Sequence, residues 1–155
     1  MLWMAVIFMF SAENAEESIE TSDSIVDVVV EHIISVSEDE LTPTEYASLK
    51  ESVSHFVRKA AHFTAYMALG ILTLSALYQH SLSVPRKRYI SLAICVLYAV
   101  SDEIHQTFVP GRAGRILDVL IDSAGAAVGI LLVSLIVYSA MKKSAKAEPA
   151  DCKKQ

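Results

Sequence analysis

Ile116 to Tyr138 reads ILDVLIDSAGAAVGILLVSLIVY. Its only charges, Asp118 and Asp122, lie near the start. A helix needs about 20 predominantly apolar residues to cross the hydrocarbon core of a bilayer, and this run is long enough. Gly125 and Gly129 are four residues apart, the small-xxx-small spacing that lets a second helix approach closely. The stretch predicts a transmembrane helix with a packed face and two carboxylates near one end.

Two more apolar segments meet the same length test, Ala60 to Gln79 and Tyr89 to Phe108. Between them, Pro85-Arg86-Lys87-Arg88 reads as a short basic loop. Val109-Pro110-Gly111-Arg112-Ala113-Gly114 reads as a tight turn, since proline presets φ and glycine tolerates positive φ. At the N-terminus, Met1 to Phe10 is apolar but too short to span. It reads as the exit half of a membrane helix whose start lies upstream. The alternative, a signal peptide, lacks a basic n-region and has only a loose cleavage site at Ser11-Ala12-Glu13-Asn14-Ala15. The fold class expected is all-α, a polytopic membrane bundle of about four transmembrane helices.

Charge supports that reading. The chain is 53% hydrophobic with a mean hydropathy of +0.41. Ser11 to Val57 carries twelve acidic residues and one lysine, a net of −11. The remainder, with twelve basic and six acidic residues, carries +6 and brings the chain to −5. Such segregation suits loops on opposite sides of a membrane. If three helices span, Arg86–Arg88 and Lys142–Lys146 share a side, and the positive-inside rule makes it cytoplasmic. Residues 11–57 are then an acidic extracytoplasmic segment within a membrane domain of residues 1–141, and 142–155 a basic, disordered cytoplasmic tail. Within the acidic segment, Ile25, Val26, Val29, Ile33 and Val36 form a helical stripe, as do Tyr46, Leu49, Val53 and Phe56. Thr42-Pro43-Thr44-Glu45 is a helix start with a capping box. Amphipathic surface helices are expected. Cys95 and Cys152 should lie at different depths and form no disulfide.

The ionisable residues concentrate at one depth. Arg58, His62 and Tyr66 share a face of the second helix, with Lys59 adjacent. Asp102, His105 and Gln106 share a face near the outer end of the third, with Glu103 beside them. Arg115, Asp118 and Asp122 run down the fourth from the turn that holds Arg112. Charged groups in a membrane are costly unless paired or wet, and they mark functional sites. The bland alternative is a salt-bridge network that locks three helices together. For His62 alone, it is an interhelical hydrogen bond. For Tyr66, it is interfacial anchoring.

Arginine and lysine at headgroup level suit phosphate or carboxylate. Nearby carboxylates and histidine suit acid–base work or a divalent cation held through oxygens. The candidate catalytic residues are Glu103, Asp102, His62 and His105. No zinc motif, phosphate-binding glycine loop, nucleotide fingerprint or activated nucleophile is present, so the pattern assigns no metal, cofactor or nucleic-acid partner. The partners expected are the bilayer and an anionic lipid, a lipid-linked wall precursor or a lipoglycopeptide. The readings in competition are a binding protein, an enzyme acting on a lipid-linked substrate, and a docking protein that works through its acidic segment.

Three motifs carry a family resemblance. They are Arg58-Lys59-x-x-His62-Phe63-x-x-Tyr66-x-x-x-Gly70, then Ser101-Asp102-Glu103-Ile104-His105-Gln106-x-Phe108-Val109-Pro110-Gly111-Arg112, then Asp118-Val119-Leu120-Ile121-Asp122-x-x-Gly125-x-x-x-Gly129. With Ile7-Phe8-Met9-Phe10-Ser11 and Glu17-Ser18 near the start, the chain resembles the VanZ-like family up to about Tyr138. It departs from the family in a short first helix and in Asp122, where the family often has asparagine. The resemblance implies a bacterial multi-pass membrane protein of the cell envelope. It also implies a link to teicoplanin-type glycopeptide resistance and a functional role for these same polar residues. It implies no settled enzymatic activity.

Overall fold

Threonine 42 starts the longest helix. Its extended backbone and its hydroxyl, which accepts from the Glu45 amide at 3.4 Å, set the first turn. The Glu45 carboxylate accepts in return from the Thr42 amide at 2.9 Å, completing the capping box. In the computed structural model, which describes residues 2–12, 15–37, 42–109 and 114–147, this start opens a helix that runs unbroken to Leu77. The described residues form five helices: α1 (Leu2–Ala12), α2 (Ala15–Ser37), α3 (Pro43–Leu77), α4 (Val84–Gln106) and α5 (Ile116–Ala147). None of them is a strand. The fold is all-α, as expected.

α3 and α5 form the spine and share the most extensive contact in the bundle. They run parallel: Phe63 meets Gly125, and Met67 meets Gly129 one turn further along both helices. A Cβ on either glycine would overlap a backbone carbonyl of α3, so the two backbones touch. Close approach of this kind needs residues without side chains. α4 runs antiparallel to α3, with Asp102 beside Tyr66 at one level and Cys95 beside Thr73 further down. α1 lies against α3 and α4. The Trp3 indole donates to the Ala65 carbonyl at 2.9 Å, and the Tyr98 hydroxyl donates to the Met4 carbonyl at 2.5 Å. Ile7 is buried in the same core as Tyr66, Leu69, Cys95, Ala99 and Ala126.

Two helices, Pro43–Leu77 and Ile116–Ser144, are long and apolar enough to cross a membrane. Outside the core, Leu97, Ile104, Leu120, Leu131, Leu135 and Ile136 are exposed. Large apolar side chains turned outward along a bundle fit a surface solvated by lipid.

Several expected boundaries move. The amphipathic helix from Pro43 and the apolar helix from Ala60 are one element, because nothing between them breaks a helix: no proline or glycine lies between Pro43 and Gly70. At ~1.5 Å per residue its 35 residues reach about 52 Å, against about 34 Å for the 23 residues of α4, so the N-terminal part projects past α4. α2 packs on that projection through Val26, Val30 and Val53. The buried stripe of α2 is therefore Val26, Val30 and Ile34; Ile25, Val29, Ile33 and Val36 face outward, because one neighbouring helix covers only a narrow face.

The basic stretch Arg86–Arg88 is the first turn of α4, not a loop. Ser83 is the extended N-cap and Pro85 sits in the first turn, where its missing N–H costs nothing. Lys87 is buried there: its ammonium donates to the Tyr78 carbonyl at 3.2 Å and lies 5.0 Å from the Tyr78 ring. It thus satisfies a carbonyl at the C-terminal end of α3, where positive charge is favoured. α5 continues past Tyr138 and carries Lys142 and Lys143, so those lysines are helical where a disordered tail was expected. Residues 148–155 lie outside the described residues.

Candidate functional site

Asp102 is the centre of a polar cluster built by four helices. Only 2% of it is exposed, and one carboxylate oxygen, Oδ2, accepts three hydrogen bonds. Ser11 of α1 donates at 2.7 Å, Tyr66 of α3 at 3.3 Å, and Gln106, one turn along α4, at 3.4 Å. Gln106 also donates to the Ser11 hydroxyl at 3.2 Å. The other oxygen, Oδ1, is buried and has no partner among the described residues. A hydrogen-bonded carboxylate holds its shape, and its bare oxygen is the atom left for chemistry.

Asp122 of α5 reaches the same level. It too is 2% exposed, and its Oδ2 lies 3.8 Å from Nδ1 of His62 on α3. That separation makes an ion pair only when the imidazole is protonated, and is long for a hydrogen bond. The Asp122 Oδ1 is also buried, without a partner among the described residues. One potential ligand atom from each of His62, Asp102 and Asp122 lies within 4.8 Å of the others, so these three residues could hold a metal ion. Toward the start of α5, Lys59 pairs with Asp118 at 3.2 Å, in a half-exposed position. Glu103 is buried and accepts a hydrogen bond from the backbone amide of Arg115, which ties the end of α4 to the start of α5.

The sequence-derived candidates divide accordingly. His62, Tyr66, Asp102, Gln106 and Asp122 come together, with Lys59, Asp118 and Glu103 toward the helix ends. Tyr66 is fully buried and bonded to Asp102, so its place is in the core, away from any interface. His105 turns away: its ring stacks on Phe8 of α1 at 4.3 Å. Arg58 is half-buried one turn before His62 and makes no hydrogen bond or ion pair among the described residues. Arg115 joins through its backbone, with its residue exposed. Arg112 and the rest of the turn from Pro110 to Ala113 lie outside the described residues.

Sequence reasoning missed Ser11 as a site residue. Its signal was weak: a single hydroxyl at the end of a short apolar run, adjacent to residues that resemble a cleavage site. It also missed Tyr98, which sits 6.1 Å from the Tyr66 ring and fastens α1.

A parallel helix pair sealed by glycines, an antiparallel partner, outward-facing apolar surface and two helices long enough to span suggest a helical membrane protein. The family model described as VanZ/LLP1 matches residues 1–137, and the chain belongs to the VanZ-like family. No curated protein and no solved structure matches it.

Proposed function

We propose that the chain is a multi-pass protein of the bacterial cytoplasmic membrane whose polar cluster binds the anionic headgroup of an envelope lipid or lipid-linked wall precursor at the extracytoplasmic face. The observation that carries this reading is the pair of buried aspartates, Asp102 and Asp122, each with an oxygen unpartnered among the described residues and so left to accept from headgroup hydroxyls. A locking network would spend both oxygens on partners, since stranded buried polar atoms are costly. Lys59 and Arg58, one turn nearer the helix ends, supply cations at headgroup level. Family membership fits a cell-envelope role, and a lipophilic glycopeptide of the teicoplanin type is a second candidate ligand for the same groups.

The parallel arrangement supports the multi-pass topology. If α3 and α5 both cross in one direction, the chain must return between them. α4 is antiparallel to α3 and at 23 residues is about 34 Å long, enough to do so. Arg86, Arg88, Lys142 and Lys143 then share one end, which the positive-inside rule makes cytoplasmic together with the C-terminus. Impermeant thiol labelling of cells tests this at Arg86→Cys, an exposed site, in place of the buried Lys87. Labelling from outside contradicts the orientation.

The binding reading is tested by native mass spectrometry of the full chain released from membranes. A phosphate-bearing lipid should co-purify and be lost in Lys59→Gln and Asp122→Asn. The His62–Asp122 pair beside Asp102 also favours acid–base chemistry on that ligand. Turnover of the bound lipid, abolished in Asp122→Asn, would convert the binder into an enzyme.

A further inference from the structure

We propose that His62, Asp102 and Asp122 bind a divalent transition-metal cation, Zn²⁺ or Mn²⁺, which bridges the protein to the anionic group of its ligand. The inference deepens the binding reading above and rests on it for the ligand alone; the metal site stands on its own geometry. Three facts converge. The potential ligand atoms of the three residues lie within 4.8 Å of one another. Asp102 and Asp122 each keep a buried oxygen without a partner among the described residues. Both aspartates are nine-tenths or more buried, and no lysine or arginine pairs with either among the described residues.

The chemistry selects the cation. One imidazole and two carboxylates form a mixed nitrogen and oxygen set, which suits Zn²⁺ or Mn²⁺ better than Ca²⁺ or Mg²⁺. Three protein ligands leave a position open, as at metal sites that engage a substrate. Ligands about 2.0–2.1 Å from a tetrahedral ion lie roughly 3.4 Å apart, so rotations that bring the three groups about an ångström closer complete the site. Ser11, Tyr66 and Gln106 already hold Asp102 through Oδ2, which is the outer-shell support metal carboxylates need.

A cation also resolves a conflict within the cluster. Two buried carboxylates repel an anionic headgroup. With a divalent ion between them their charge is balanced, and the open coordination position attracts phosphate.

The test uses the full chain in nanodiscs, stripped with chelator and titrated with Mn²⁺ under electron paramagnetic resonance, with Zn²⁺ as competitor. Saturable binding of one ion per chain is expected, with an imidazole nitrogen coupling in the pulsed spectrum. His62→Gln should abolish that coupling, and His62→Gln, Asp102→Asn and Asp122→Asn should each weaken binding by more than about tenfold. Glu51→Gln, on the projecting part of α3, should leave it unchanged. Because His62 is only half-buried, its variant keeps the test valid even if an aspartate variant fails to fold. Absence of saturable binding, or a coupling that survives His62→Gln, overturns the proposal. Vesicles containing phosphatidylglycerol separate the two readings. Metal binding without lipid binding ends the headgroup reading and leaves the metal site. Lipid binding undiminished by chelator, without a Mn²⁺ signal, ends the metal site alone.

Discussion

Asp27 and Asp122 are both aspartates on helices facing α3, and each faces a basic side chain. Asp27 of α2 pairs with Lys50 at 2.8 Å, and the Lys50 and Asp27 side chains are 32% and 46% exposed. Asp122 faces His62 at 3.8 Å and is almost fully buried. The first pair sits on the arm formed by α2 and the start of α3, where both side chains reach water and the charges lie at contact distance. The second sits in the bundle, where burial is expensive and the partner is distant. The arm has the better geometry and the smaller need for it. An acidic residue that is closely paired and wet is ordinary; one whose partner is distant and that is dry is the candidate for a binding group.

Breaking the scaffold beneath the buried cluster should have the largest effect. Gly129→Val would drive a branched side chain into the Met67 carbonyl, a backbone atom that cannot swing aside. The cost should exceed the ~1–3 kcal/mol usual for overpacking, because α3 and α5 must part. Loss of accumulated folded protein, followed by fluorescence-detected size exclusion, is the expected outcome. Normal accumulation contradicts the parallel glycine contact.

Asp102→Ala comes next. It strands the hydroxyls of Ser11 and Tyr66 and the Gln106 amide, at about 1–3 kcal/mol for each donor that finds no new partner. Thermal unfolding in detergent should show a large drop. Ser11→Ala removes a single bond in the same cluster and should cost about 1 kcal/mol, while loosening α1 toward proteolysis. Equal effects for the two variants would mean that Asp102 is held by α1 alone.

The arm should respond least. Lys50→Ala removes an exposed ion pair worth less than about 1 kcal/mol, and the change should shrink further in high salt. A loss as large as that of Asp102→Ala would erase the distinction between the two regions.

The sequence shows this contrast only in part. Helical class and the close-packing glycines follow from periodicity, because residues four apart stay on one face, and the common depth of His62, Asp102 and Asp122 follows from their distance to the helix ends. Three things do not follow. Charge patterns mark no helix boundary, so Arg86–Arg88 read as a loop although proline and Ser83 start a helix there. Burial depends on neighbours, so Tyr66 read equally as anchor and site until Asp102 stood against it. Partners from distant segments leave no local trace, which is why Ser11 went unnoticed and His105 was grouped with residues it does not face.

Whether the buried cluster serves more than packing is decided by comparing function with folding in the same variants. Glu103→Gln, Asp118→Asn and Asp122→Asn are scored for membrane abundance, unfolding temperature and co-purified phosphate-bearing lipid, with the exposed Leu132→Ala as control. The account predicts that Asp122→Asn inserts and folds near normally yet loses its lipid, while Leu132→Ala keeps both. Lipid lost only in proportion to folded protein, across all three cluster variants, would contradict it and leave the cluster as a lock between helices.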